Sequence, residues 1–316
     1  MNNKIESLVM EVKKVIKGKD DIIVKIITAI LASGHILLED NPGLGKTTLA
    51  KTLSKAMALE NKRIQFTPDT MPSDIVGFSI YDQNSVDMKF VPGPVFTNIL
   101  LADEINRTSS KTQAALLEAM AESTVTVDNK TYRLNDPFIT IATQNPITSG
   151  GTQALPDSQL DRFIVKLSMG YPSMEGQVEM LIEDDGTDLI EKVNSVISVE
   201  ELVSMRRKVA QTMLDAKVAE YIARLCDATR KNDKIVCGIS PRGAKALANM
   251  SKAHAFMEER DYVVPGDVQA VVMDVFKHRL ILSPSARREK HASRKIVEEI
   301  LQQVEAPSII GDKMVY

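Results

Sequence analysis

The sequence contains no apolar run approaching the roughly 20 residues that a membrane-spanning helix needs. Its first stretch, MNNKIESLVMEVKKVIKGKDD, mixes both charge signs and lacks the apolar core of a signal peptide. The expectation is therefore a cytoplasmic protein. Cysteine is scarce, with Cys226 and Cys237 the two present, and the four histidines show no metal-ligand spacing with them or with one another. No zinc site is expected. Cys226 lies in VAEYIARLCDATR, where Val218, Tyr221, Ile222 and Leu225 recur at helical spacing, so it reads as a buried free thiol. A strong charge of one sign is also missing: 39 Lys and Arg stand against 42 Asp and Glu, a net charge of −3. That balance argues against tight, non-specific nucleic-acid binding through a globally basic surface, though not against a local basic channel. Internal repeats and low-complexity tracts are absent.

With 316 residues the chain can bury a large core and is expected to form two domains. Through residue 183, short apolar runs alternate with helical patterns. The strand candidates are HILLE, RIQFT, NILLA, FITIAT and FIVKL. Near-continuous apolar strands separated by helices predict an α/β domain built on a parallel sheet covered on both faces. The polar stretch 184–198 is the expected linker. Residues 199–316 read as a small all-helical domain. In its segment PGDVQAVVMDVFKHRL, Val268, Val271, Val272, Val275 and Phe276 form one helical stripe.

The chemistry is carried by EDNPGLGKTTLA, which follows the first strand candidate and opens a helix. That context is what a phosphate-binding loop requires. Asn41, Pro42, Gly43, Leu44 and Gly45 would form the cradle, with the two glycines letting the backbone approach phosphate and turn its N–H groups inward. Lys46 would reach the β- and γ-phosphates, and the Thr47 hydroxyl, followed by Thr48, would hold Mg²⁺. The usual pattern has glycine where this chain has Asp40, a residue able to cap or turn the chain.

Two further strand ends agree with this. NILLADEINR places Asp103 and Glu104 at the carboxyl edge of the sheet, where ligands bind in this architecture. Asp103 is the candidate Mg²⁺ partner and Glu104 the candidate general base for an attacking water. FITIATQNP ends in Thr143, Gln144 and Asn145 at the same edge. Asn145 is read as orienting the lytic water or touching the γ-phosphate, the alternative being a turn residue before Pro146.

Taken together, LLEDNPGLGKT, RIQFTPDTMPSDIVG, FVPGPVFTNILLADEINR, KTQAALLEAMAE, ATQNP, LPDSQLDRF and ISPRGAKAL resemble an AAA+ ATPase, and specifically the MoxR family. The likeness runs through nearly the whole chain and makes Asp40 look like the family's own variant of the loop. It implies ring assembly, commonly a homo-hexamer, with ATP between subunits. Arg162 is similar to the arginine finger that reaches a neighbour's γ-phosphate, an ion pair with Asp157 or Asp161 being the alternative. Arg242 is similar to a second nucleotide sensor in the helical lid. Ser240 as N-cap and Pro241 after it would place that arginine at a helix start, where it suits an anion. Ile16 to Gly18 resembles the segment beside the adenine.

Residues 77–96 look like a helix-2 insert. Residues 124–134 look like a β-hairpin ahead of the Asn145 strand, with Val125 and Val127 facing Tyr132 and Leu134 around an Asp-Asn-Lys turn. Such loops face a ring pore and engage substrate; the alternative is a pair of surface hairpins with no partner. The resemblance thus implies a Mg²⁺-dependent ATPase acting as a chaperone-like remodelling factor on a protein client, with a von Willebrand factor A protein as partner and no membrane. A nucleic-acid or chelatase-type motor is one rival, resting on Lys130 and Arg133 of the hairpin. A non-hydrolysing nucleotide switch is the other.

Overall fold

The computed structural model describes residues 3–41, 43–83, 87–145, 155–182 and 186–308. The chain folds into two compact units, one over Asn3–Met205 and the other from Arg206 onward.

The first unit begins with helices α1 (Asn3–Lys13) and α2 (Asp20–Leu31) and then alternates strands with helices. Strand β1 (Ile36–Glu39) leads into α3 (Lys46–Ala56), β2 (Asn61–Gln65) and the short α4 (Pro72–Val76). A hairpin of β3 (Gly77–Asp82) and β4 (Asp87–Pro92) follows, then β5 (Ile99–Asp103) and α5 (Ser110–Glu122). A second hairpin, β6 (Thr124–Val127) and β7 (Lys130–Arg133), precedes β8 (Ile139–Gln144). The unit continues with α6 (Asp157–Leu160), β9 (Val165–Leu167), α7 (Met174–Ile182) and α8 (Gly186–Glu191).

All five expected strands join one parallel sheet in the order β2-β5-β8-β1-β9. Strands β5 and β8 are buried along nearly their whole length, as strands of a parallel sheet covered on both faces are. At the edge, β2 buries only Ile64, which lets it carry Arg63 and Gln65. The core beneath the sheet gathers Leu37, Phe66, Leu100, Ala142, Leu116 and Phe163. Register then fixes the site, since Gln65 lies opposite Asp103, and Leu38 and Glu39 lie opposite Thr143 and Gln144. The polar ends of four parallel strands therefore share one edge.

Both inserts are antiparallel hairpins. In the second, Val125 pairs with Tyr132 as read, but the turn is the two-residue Asp128-Asn129, and Lys130 belongs to the strand opposite Val127. Both turn residues have positive φ (48° and 62°), the requirement of a tight hairpin turn that Asp and Asn meet at low cost. The hairpins meet where Phe90 stacks on Tyr132, ring centroids 4.1 Å apart.

The stretch read as a linker is partly helical and packs on the first unit. Lys55 Nζ donates to the carbonyls of Ile190 and Glu191, and the Val196 N–H donates to Ala56 O. The boundary between units falls later, within α9 (Val199–Gln211). Polarity suggested a linker there, but hydrogen bonds to the end of α3 hold the segment down.

The second unit holds α10 (Ala216–Lys231), α11 (Pro241–Met257), α12 (Pro265–Phe276) and α13 (Ala292–Gln303). It also contains a small antiparallel pair, β10 (Ile235–Cys237) with β11 (Ile281–Leu282), that the helical pattern did not show. The stripe from Val268 to Phe276 is buried throughout. Cys226 is buried too, and burial pushes its thiol up to about 11. Asp267, only 1 % exposed, accepts both Arg260 guanidinium nitrogens, His254 Nδ1 and the Val264 N–H. Among the described residues no helix is long and apolar enough to cross a membrane.

Candidate active site

The loop between β1 and α3 has the backbone a phosphate cradle needs. Gly43 and Gly45 have φ of 83° and 80°, a left-handed conformation that disfavours side chains, and a Cβ at either would meet no atom within 4 Å. The open space lies where a ligand would approach. Gly45 is the N-cap of α3, no side chain among the described residues caps this end, and no acid sits in its first turn. The first N–H groups and the positive end of the helix dipole are left for an anion. Asn41 is exposed, Leu44, Thr47 and Thr48 are half-buried, and Pro42 lies outside the described residues.

Lys46 is only 8 % exposed, and its Nζ donates to Asp40 O at 2.7 Å. Burial lowers its pKa, while Asp40, Asp103 and Glu104 oppose that by favouring the charge. A partly desolvated lysine beside two carboxylates fits an incoming polyanion.

The acidic pair is held by a continuous network. Asp103 Oδ1 accepts the Thr143 hydroxyl at 2.6 Å, and Oδ2 accepts Arg63 at 2.7 Å. Glu104 Oε1 accepts Asn145 Nδ2 at 2.8 Å, while Oε2 accepts Gln65 Nε2 and Arg107, each at 2.9 Å. Arg63 also donates to Gln65 Oε1, closing the chain between the two acids. Glu104 has φ 58° and ψ 46°, a left-handed conformation that costs a non-glycine residue roughly 1–3 kcal/mol. Its N–H donates to Thr143 Oγ1, so the strained backbone is tied to the same threonine as Asp103. The β8 end is anchored in turn: Asn106 Nδ2 donates to Asn145 O at 3.1 Å, and Asn145 N donates to Asn106 Oδ1.

Lys46, Asp103, Glu104 and Asn145 thus converge as expected, with one difference. Asn145 bonds Glu104 itself, because both sit at the ends of adjacent strands. Arg63, Gln65 and Arg107 escaped the sequence reading. Gln65 and Arg63 alternate at the end of an edge strand, and Arg107 stands one turn after Glu104 in DEINR, signals visible only once the strand order is known. The Asp40 side chain does not cap α3. Its carboxylate bonds the chain leaving β9 instead.

Ile16 is buried, and Gly18, with φ 64°, lies against Ser173, whose Oγ would be 3.3 Å from a Cβ there. Arg162 follows α6 and is not among the residues gathered around Lys46; its guanidinium donates to Leu117 O at 3.0 Å. Arg242 is exposed in the first turn of α11, where Ser240 Oγ accepts the Gly243 N–H at 3.0 Å and Pro241 follows the cap, as read.

A metal ion at this edge would find few protein ligands, since no group of three or more His, Cys, Asp or Glu is poised for one among the described residues. Asp103 and Thr47 fit Mg²⁺, which takes one or two protein ligands and fills its shell with phosphate oxygens and water.

Comparison with known proteins agrees with this geometry. Residues 35–165 match the family model of the ATPase family associated with various cellular activities (AAA), and residues 227–300 match the AAA lid domain. Sheet, cradle and lid define an AAA+ ATPase. The chain is 35 % identical over 314 residues to Chaperone MoxR1 of Mycobacterium tuberculosis, covering 96 % of this chain and 83 % of that protein. It belongs to the MoxR family. An uncharacterized Bacillus subtilis protein, YeaC, is 44 % identical over 299 residues, or 95 % of this chain and 93 % of the relative. The crystal structure of a candidate ATPase from Cytophaga hutchinsonii superposes with a TM-score of 0.89 at 38 % identity, covering 97 % of this chain and 96 % of that one.

Proposed function

We infer that the chain hydrolyses ATP with Mg²⁺ and uses the energy to remodel a protein client. The observation that carries this is the acidic pair. Glu104 is held in a strained backbone, positioned by three donors from three separate elements, beside a lysine buried at an uncapped helix start. A passive nucleotide switch has no use for such a base. In this reading Lys46 and the first N–H groups of α3 bind the β- and γ-phosphates. Glu104 takes a proton from water as the γ-phosphoryl group leaves. Asn145 sets the direction of the Glu104 carboxylate. Bound Mg²⁺ would offset charge on the phosphate oxygens, held by Asp103 and Thr47.

The name of the mycobacterial relative supports a chaperone role. The β3–β4 hairpin supports a polypeptide client, because it exposes Phe78, Ile80, Tyr81 and Met88. Its Phe90 stacks on Tyr132, so both inserts would act on a client as one body. Homo-hexameric rings, with Arg162 acting on the neighbouring nucleotide, Arg242 sensing it from the lid and Ile16 to Gly18 beside the adenine, belong to this reading. So do a von Willebrand factor A partner and a cytoplasmic location. Phosphate release from ATP, measured for the parent and for Glu104→Gln with and without Mg²⁺, tests it. No release by the parent, or equal release by the variant, would overturn it.

A further inference from the structure

Asp40 occupies the position that phosphate loops commonly give to glycine, and its side chain does no work in the mechanism above. It is only 6 % exposed and fully engaged. Oδ1 accepts the Ser168 hydroxyl at 2.7 Å and the Gly170 N–H at 3.1 Å, while Oδ2 accepts the Met169 N–H at 2.6 Å. Its N–H donates to Gln144 O on the strand that leads to Asn145. Its carbonyl accepts Lys46 Nζ at 2.7 Å. On the far side of the clamped segment, Lys19 Nζ donates to the carbonyls of Gly170 and Tyr171. One residue therefore joins the lysine of the cradle, the end of β8 and the chain leaving β9, which in turn is tied to the residue after Gly18.

We propose that Asp40 is a positioning residue that sets where Lys46 rests by locking the residue just before the cradle to Ser168, Met169 and Gly170. Its consequence for nucleotide binding rests on the reading of the cradle given above. The carboxylate fixes the Asp40 peptide plane from the side-chain end, and that plane aims the carbonyl that holds Lys46. The donor pattern requires a carboxylate. Each oxygen accepts a backbone N–H, so an asparagine, whichever way its amide turns, points an NH₂ group at one of them. Glycine, the common residue here, would leave the Met169 N–H buried with no acceptor from this residue.

The test uses the full-length chain as parent, Asp40→Asn, Asp40→Gly and Ser168→Ala, the last a mild change that leaves both N–H donors in place. Two measurements need no nucleotide. Amide exchange reads the Met169 and Gly170 N–H groups, and an amine-acylating reagent followed by peptide mass spectrometry reads the accessibility of Lys46. Asp40→Gly is expected to lose protection at both amides and Asp40→Asn at one of them, and both to label Lys46 about tenfold faster, the size of effect that one unsatisfied buried donor produces. Exposed lysines and the amides of α10 to α13 should stay at parental values, which a general loosening of the fold would not allow. Ser168→Ala should raise Lys46 labelling about two- to threefold, since one of three bonds is removed. The Kd for ATP should rise in the same order as labelling.

Parental exchange and labelling in Asp40→Asn overturn the proposal. Should the Asp40 variants fail to fold, Ser168→Ala with parental labelling overturns it alone. A parent that binds no ATP would sink the nucleotide reading, while the exchange and labelling results still judge the clamp.

Discussion

Asn145 donates its side-chain amide to Glu104 Oε1 at 2.8 Å, bridging the ends of two adjacent parallel strands. The asparagine is buried, and its backbone is pinned to Asn106 at both N–H and carbonyl. It therefore holds the carboxylate from a fixed support. Asn145→Ala should bind ATP like the parent and hydrolyse it about 10²–10³ times more slowly, the usual effect of removing one preorganised donor at a reacting centre. Single-turnover phosphate release with a separate calorimetric Kd checks this. A matching loss of affinity would show that Asn145 instead contacts nucleotide.

Lys46→Ala removes a buried cation that interacts with Asp40, Asp103 and Glu104, and with it the group proposed to hold the γ-phosphate. ATP binding should be undetectable at micromolar nucleotide by calorimetry, with the sheet intact by circular dichroism. Parental affinity in a folded variant would remove the cradle assignment.

Arg162 donates to Leu117 O, and its proposed role is to act on the neighbouring subunit's nucleotide. Arg162→Ala should bind ATP and turn it over about 10³–10⁵ times more slowly. Mixed with Lys46→Ala protein, which keeps its arginine, some activity should return in shared rings. A dead mixture, with subunit exchange demonstrated by fluorescence transfer, would exclude action in trans.

Asp267 ties α11 to α12 through His254, Arg260 and the Val264 N–H. Burial alone would raise its pKa, but the bonds from Arg260, His254 and the backbone outweigh that and lower it from 3.8 to about 2. A lowered carboxyl pKa contributes stability that is complete above the unfolded value and is lost as pH falls through the folded one. The contribution is about 2 kcal/mol at neutral pH. Asp267→Asn should lower the stability of the helical unit at pH 7, and the difference from the parent should shrink between about pH 4 and pH 2. Urea unfolding across that range reads it. A constant difference would mean that packing, not the charge, is responsible.

How much of this was legible follows from the range over which each cause acts. The five strands, the cradle and the Val268–Phe276 stripe rest on local patterns: near-continuous apolar runs, period 3.6 and glycines at a strand-to-helix turn. The Ser240 cap is equally local, and so is the hairpin, although the Asp-Asn-Lys reading makes its turn one residue too long by including Lys130. Even the convergence of GLGKT with DE and TQN was accessible, because polar residues at the carboxyl ends of parallel strands must share an edge.

What the sequence could not settle depends on contacts between distant segments. That Gln65 and Arg63 serve the acidic pair follows from β2 lying beside β5, a sheet-order decision. That Asn145 grips Glu104, and that Phe90 stacks on Tyr132, were likewise decided by neighbours absent from either local pattern. The polar 184–198 stretch looked like a linker because composition carries no record of the Ala56 and Lys55 groups that bind it. Asp40 is the sharpest case. Read along the chain it is a flaw in a glycine pattern, and only the chain leaving β9, the strand placed at the sheet edge next to β1, supplies the three donors that make a buried carboxylate the residue that fits.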